Sequence, residues 1–323
     1  MKSSLLILVG LILGFSFQEI GLFDGKKYLS SPIRESGYNY INPLLECEFG
    51  DEISKEIQPF KGEVAKLIEE KITDRKISLA SVYFRDLNNG PSFGINEKDG
   101  YIPASLLKVP WMITYFKKAE GDPSILKKEI KYEIPIHDNP QFIEPAKKIE
   151  LGKTYTVEEL IERMIKYSDN LAVTLLARSL PQQDLIDTFK NLGIDFTFDS
   201  YDQISVKSYA SFFRILFNSS YLNRDLSEKA LKLLSGTDFK EGITRGVGPN
   251  VIVSQKFGEV WPTPEADKQL HDCGIIYYPE KPYLLCIMTR GSDFGGLTQT
   301  IRDISYLVFD SVHQQVLDKN NNQ

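Results

Sequence analysis

The sequence predicts an α/β fold, an αβα sandwich with an antiparallel sheet built from both chain ends and flanked by helices, and with an inserted all-helical lobe. Three observations carry this. Strand-like patterns fall in two groups, Ile77 to Ile95 and Val251 to Arg290. Between them, from Ser105 to about Asn250, apolar residues recur almost wholly at helical spacing. Helical stripes also bracket the strand groups at the two ends of the body, which suits a sheet covered on its faces.

The elements follow in chain order. Residues Ser3 to Gln18 carry no charge, include the apolar run Leu5 to Leu13 and follow Lys2, the layout of an export signal. Its length, only slightly short of a spanning helix, leaves residues 1–18 open as a cleaved signal peptide or an N-terminal membrane anchor. Either form places the body outside the cytoplasm: periplasmic, extracellular or on the outer face of the cytoplasmic membrane. Residues 19–46, with Gly, Ser and Pro among tyrosines, read as a linker, and 47–320 as the catalytic body with its helical lobe at about 105–250. Val64, Leu67, Ile68 and Ile72 mark the first helix of the body. Ile77 to Leu87 and Ser92 to Ile95 form a hairpin through the Asn88-Asn89-Gly90 turn. In the lobe, Val157, Leu160, Ile161, Met164 and Ile165 form one apolar stripe, and Leu171, Leu175 and Leu176 another. Val251 to Val260, Leu270 to Tyr278 and Tyr283 to Arg290 read as three further strands, and Ile301, Ile304, Val308 and Val312 as a closing helix.

The chain has 323 residues, 42% hydrophobic and 25% charged, enough for one large core or two lobes sharing it. A net charge of -6 without a run of Lys or Arg gives no electrostatic footprint for nucleic acid. A small-molecule or peptide substrate and a monomer are expected. Cys47, Cys273 and Cys286 form no metal-spaced cluster, and no cofactor is implied. If the last two strands pair through the Pro279 to Pro282 turn, Cys273 and Cys286 are offset by about two residues, so no disulfide is expected between them.

Three short polar clusters carry the chemistry. Ser105 and Lys108 stand three apart at a helix start, close enough for the amine to reach the hydroxyl. Ile102, Leu106, Leu107, Val109 and Trp111 surround them with apolar groups that would lower a lysine pKa and let it act as base. Alone, Ser-x-x-Lys does not distinguish a nucleophile from a helix cap, and a second copy at Ser124 to Lys127 follows Gly121-Asp122-Pro123 and reads as an N-cap. Ser168-Asp169-Asn170 lies between two helical stripes, where capping is equally natural. Lys256-Phe257-Gly258 sits on a strand. Together, in this order, the three clusters are what a serine acyltransferase without a catalytic histidine requires.

They also match the Ser-x-x-Lys, Ser-Asp-Asn and Lys-Thr-Gly signature of class A β-lactamases and penicillin-binding proteins. From about Gly62 onward the chain resembles the class A β-lactamase-like serine hydrolases of the β-lactamase/transpeptidase-like superfamily. The stretch from Gly152 to Leu160 leading into Ser168 is similar to the helix entering the second motif, and His271 to Ile275 and Met288 to Gly291 to its later strands. The resemblance implies Ser105 as nucleophile, Lys108 as its base and Ser168 as proton relay to the leaving nitrogen. Asn170 would hold the substrate's side-chain amide, and Lys256 would attract its carboxylate. The backbone N–H groups of Ser105 and Glu259 would form an oxyanion hole, with Phe257 and Gly258 lining the substrate strand. A β-lactam or a peptidoglycan stem peptide is the implied substrate.

Two departures bear on function. Phe257 replaces the hydroxyl residue of the third motif, removing one contact to a substrate carboxylate. No glutamate occurs between Glu162 and Glu228, where class A enzymes carry the omega-loop glutamate that activates the deacylating water. Asp199 with Gln203 only imitates its spacing. Acylation with slow deacylation is therefore expected, with a D,D-peptidase or a non-catalytic sensor as alternatives. Gly90-Pro91-Ser92-Phe93-Gly94 resembles a nucleophile elbow, but no helix start follows it, so a hairpin turn is expected. His137, His271 and His313 have no clear triad partner and read as structural.

Overall fold

The computed structural model describes residues 33–34, 36–46, 58–88, 90–138, 141–194, 196, 203–261, 263 and 266–321. The main sheet has five strands: β1 (Leu79–Asp86), β2 (Ser92–Ile95), β3 (Val253–Val260), β4 (Lys268–Ile276) and β5 (Tyr283–Gly291). Its spatial order is β2-β1-β5-β4-β3, all antiparallel. The N-terminal hairpin thus joins the C-terminal meander through the β1–β5 pair, with Val82 opposite Ile287, and β3 is left as an edge. The helices are α1 (Gln58–Thr73), α2 (Lys108–Gly121), α3 (Val157–Lys166), α4 (Asn170–Ser179), α5 (Gln182–Asn191), α6 (Val206–Asn218), α7 (Arg224–Ser235), α8 (Ile243–Val247) and α9 (Phe294–Asn321).

Strand alternation sorts the sheet's side chains onto two buried faces. Ala80, Val82 and Phe84 of β1 and Leu285 and Ile287 of β5 join Val64 and Ile68 of α1 and Ile301, Ile304, Val308 and Val312 of α9. Tyr83, Ile275, Leu284 and Met288 face the other way, into a core with Met112, Ile161, Phe212 and Leu231 of the helical lobe. Burial on both sides accounts for the continuous apolar run Leu284 to Met288 in β5. At ~1.5–3 kcal/mol per fully buried large apolar side chain, these two layers dominate the favourable side of folding. The three-layer sandwich and its helical lobe are as the sequence predicts.

Local differences have identifiable causes. The lobe is interrupted between Tyr132 and Leu151 by a stretch whose described residues are irregular, where Pro135 and Pro145 each remove a backbone donor. Asp122, not Ser124, caps the 3-10 turn Pro123–Lys127: its extended backbone lets the carboxylate accept from Ser124 N, and Pro123 suits the first helical position. Ile72, at the end of the α1 stripe, is exposed. Gly90 leads into strand β2 and not into a helix, as the hairpin reading requires.

Residues 36–43, within the stretch read as linker, pack on the body. Glu228 of α7 accepts the N–H groups of Asn39, Tyr40 and Ile41, Asn42 N donates to Phe217 O, and Tyr277 Oη donates to Tyr40 O. Ile41 is buried. Residues 1–32 and Cys47 lie outside the described residues, and with them the segment read as signal or anchor. Among the described residues no helix is long and apolar enough to cross a membrane.

The cysteine expectation is corrected. The β4–β5 connection is Tyr277–Pro282, centred one residue earlier than the Pro279–Pro282 turn, and this moves the register by two. Cys273 then lies directly opposite Cys286, and the two form a disulfide in the middle of the sheet. Alkylation of the denatured chain without reductant is expected to label Cys47 alone, and with reductant all three cysteines. Replacing Cys273 and Cys286 by alanine is expected to cost about 2–3 kcal/mol in denaturant unfolding; labelling of three thiols in the unreduced protein would refute the bridge.

Candidate active site

Pro103 starts a 3-10 turn, Ala104–Leu107, that runs straight into α2 at Lys108. In 3-10 geometry side chains three apart eclipse, so Ser105 and Lys108 project along one line. Ala104, just before the serine, has φ +48°, a conformation that side-chain-bearing residues hold only when their surroundings impose it. Those surroundings are specific. From β4, Gln269 Oε1 accepts the Ile102 N–H at 3.1 Å, and His271 Nε2 lies 3.1 Å from the Ile102 carbonyl. Arg290 donates to Gly100 O, and Tyr209 Oη donates to Leu106 O at 3.0 Å. Burial holds His271 down to about 4, so it is neutral and serves as a clamp on this backbone.

The second cluster occupies the turn between α3 and α4. Asp169 takes the capping role: Oδ1 accepts from Leu171 N at 2.9 Å and Ala172 N at 3.3 Å, while Oδ2 accepts from Ile149 N at 2.8 Å. This leaves Ser168 and Asn170 for the site. Ser168 sits at φ +57°, the second strained residue of the centre. Lys108 Nζ reaches Ser168 O at 2.6 Å, Ser168 Oγ at 3.0 Å and Asn170 Oδ1 at 2.8 Å. Since Asn170 Oδ1 receives the lysine, its amide NH₂ is what remains to be offered elsewhere.

Lys256 enters from β3. Its Nζ lies 3.0 Å from Ser168 Oγ and donates to Phe257 O at 2.9 Å. One hydroxyl thus stands 3.0 Å from two lysine amines, and Lys108, Ser168 and Lys256 are all buried while Ser105 remains part-exposed. Burial, reinforced by the neighbouring Lys256 charge, drives Lys108 well below the ordinary lysine range. Burial also lowers Lys256, to about 7, against the pull of Asp272. Asp272 lies on β4 opposite Phe257, accepts Ile243 N at 2.9 Å and is pushed up to about 7 by burial. The arrangement can hold a lysine amine of lowered proton affinity against Ser168 Oγ and hand a proton through that hydroxyl.

The remaining residues of the third motif behave differently from one another. Gly258 is where β3 meets the 3-10 turn: a Cβ there would lie 2.9 Å from Pro103 O and 3.0 Å from Leu106 N, so only glycine allows this approach. Phe257 was expected to line the substrate strand; its side chain instead is 1% exposed, against Phe239, with its ring centroid 4.1 Å from Lys256 Nζ. Its ring therefore acts on the lysine, as apolar cover and cation–π partner, and cannot touch a ligand. Because Phe257 O is directed away from β4 towards Lys256, Glu259, two residues on, presents its N–H along the same free edge. Ser105, near the N-terminus of its helical turn, has an N–H without an intrahelical acceptor. These two donors suit an oxyanion.

Sequence reading missed the loop facing these groups. Gln141 Nε2 donates to Ser168 O at 3.5 Å, and Asp138, paired with Lys148 at 2.9 Å, contributes negative charge near Lys108. A loop without periodicity gives no local signal for either. Asp199 lies outside the described residues; Gln203 is described, with its side chain directed at Gly100. Among the described residues no His, Cys, Asp and Glu group could hold a metal ion.

Comparison with known proteins bears on the fold and the family. No curated protein matches the sequence. The fold is that of PBP-A, 18% identical, with a TM-score of 0.67 over 80% of this chain and 97% of that one. It is equally that of a β-lactamase from Sphaerobacter thermophilus, 18% identical, TM-score 0.67, covering 78% of this chain and 98% of that one. A class A β-lactamase from Mycobacterium abscessus, 18% identical, gives 0.65 over 79% and 99%. The family described as the Beta-lactamase enzyme family matches residues 61–312, most of the body. With that match, this sheet and this fold, the chain belongs to the β-lactamase enzyme family, a hydrolase family of the β-lactamase/transpeptidase-like superfamily.

Proposed function

We propose that this protein forms an acyl-enzyme on Ser105 with β-lactams or D-Ala-D-Ala-like amides and releases it slowly. The observation that carries the reading is the Ser168 hydroxyl held 3.0 Å from each of two buried lysine amines. Neutral Lys108 takes the Ser105 proton as Oγ attacks the carbonyl carbon, and the Ser105 and Glu259 N–H groups receive the oxyanion. The proton then passes from Lys108 through Ser168 Oγ to the leaving nitrogen as the C–N bond breaks. Protonated Lys256 attracts the substrate carboxylate, and the free NH₂ of Asn170 holds the acyl-side amide carbonyl. A point mutant of PBP-A is known as its acyl-enzyme with penicillin G, which supports the same chemistry here.

Slow release is supported by the absence of glutamate between Glu162 and Glu228. The carboxylates whose charge reaches Lys108 also have other duties: Asp169 accepts three backbone N–H groups, Glu259 accepts Ile143 N, and Asp138 pairs with Lys148. Export to an oxidising compartment fits both the charge-free N-terminal run and the Cys273–Cys286 bridge.

Intact-mass measurement with penicillin is expected to show one adduct per chain, absent in Ser105→Ala, and stopped-flow traces a stoichiometric burst followed by slow turnover. Fast steady-state hydrolysis without a burst would overturn slow release; no adduct would favour a non-catalytic binder. Faster hydrolysis of a D-Ala-D-Ala peptide than of a chromogenic cephalosporin would identify a D,D-peptidase. Lys108→Ala and Ser168→Ala are expected to slow acylation by ~10³-fold or more.

The pH dependence has a defined sign. Lys256 is cationic below its value of about 7 and neutral above it. Acylation by a carboxylate-bearing penicillin is therefore expected to weaken as pH rises through about 7. Lys256→Arg, whose charge persists at every pH tested, is expected to lose that decline whatever its absolute rate; an unchanged decline in this variant would remove Lys256 from carboxylate binding.

A further inference from the structure

The segment following Gln141 has no regular structure, yet it is tied to both walls of the cleft. On the helical-lobe wall, Gln141 Nε2 donates to Ser168 O at 3.5 Å. On the sheet side, Ile143 N donates to both carboxylate oxygens of Glu259, at 3.0 and 3.2 Å. Between them the Phe142 ring stacks on Phe294 at the start of α9, centroids 4.5 Å apart. Within three residues the chain passes from the turn that carries Ser168 to the edge of β3 that carries the oxyanion donor. On the acylation reading, the acyl part of a substrate held by Asn170 and the Glu259 N–H would lie in this same interval.

The crossing is not a core contact. Phe142 remains 65% exposed despite its stack, and Gln141 Oε1 is buried without a partner. Apolar burial is therefore slight, and one polar group goes unsatisfied. What holds the sheet end of the segment is a charged acceptor, the Glu259 carboxylate, stronger than a neutral one would be.

We propose that Glu259 is a specificity-determining residue: its carboxylate holds residues 141–143 across the cleft and so limits the size of the acyl side chain that a substrate of Ser105 can carry. The inference rests on the acylation reading above. Glu259 then has two separable roles, its main-chain N–H facing the reacting carbonyl and its side chain setting the width of the cleft. Phe142 is the second leg of the same restraint.

Acylation rate constants of the full chain would be measured with 6-aminopenicillanic acid, which lacks an acyl group, and with a penicillin carrying a naphthyl acyl group. Glu259→Ala and Phe142→Ala are each expected to raise the bulky-to-compact ratio about tenfold or more, and Glu259→Gln, which keeps an acceptor oxygen, to raise it less. Equal changes with both ligands would overturn the proposal, because a purely structural loss acts on both alike. Amide hydrogen exchange at Ile143 provides a readout independent of turnover. Protection is expected in the unmutated protein and its loss in Glu259→Ala, while Ile149, held by Asp169, stays protected. An unprotected Ile143 in the unmutated protein overturns the restraint even if Ser105 is acylated. A protected Ile143 with no adduct from either ligand counts against the acylation reading, and against size selection with it.

Discussion

Two lysine amines share one serine hydroxyl in a place from which water is nearly excluded. Everything else at the centre is arranged around keeping Lys108, Ser168 and Lys256 together under that condition. Burying two like charges side by side is expensive, and the protein meets the expense by shifting protons: both amines hold them less tightly than a lysine in water. The result is useful chemistry, since an amine that holds its proton less tightly is more readily available as a base than a surface ammonium. The groups come from three different parts of the fold, so the centre exists only while helix α2, the α3–α4 turn and strand β3 stay in register.

That requirement explains features that look incidental singly. Gly258 lets β3 approach the 3-10 turn closely enough for Lys256 to reach Ser168. Phe257 occupies the space beside Lys256 with a ring and keeps the amine dry. Gln269 and His271 grip both polar groups of Ile102, and Tyr209 grips Leu106 O, so that the positive φ of Ala104 is imposed from outside the turn. Strain at Ala104 and Ser168 is tolerated because the two-faced sheet beneath is buried in large apolar layers.

The legibility of these features differed with the range of the interaction that produces each. The apolar runs of β1 and β5 and the helical stripes in α1, α3 and α9 reflect patterns of burial that each segment carries locally, and they could be read directly. The cysteine pairing could not, because a one-residue displacement of the turn centre moves the register by two. Phe257 looked like a substrate contact from its place in the motif, but whether its ring enters the cleft depends on where Phe239 packs. Gln141 and Asp138 lie in a proline-interrupted loop, and the Ser168 carbonyl that Gln141 meets belongs to a different turn, 27 residues further along the chain.

The amino-acid sequence by itself determined the class of fold, the order of its layers and the residue types of the candidate site, since periodicity and side-chain chemistry are local. Only the tertiary structure decided that Asp169 would be the cap while its neighbours Ser168 and Asn170 met Lys108, that Lys256 and Lys108 would meet over one hydroxyl, and that Glu259 would hold the opposing loop. Those outcomes depend on desolvation and on hydrogen bonds spanning 60 to 116 residues along the chain, and neither burial nor such a partner exists until the lobes have closed on the sheet.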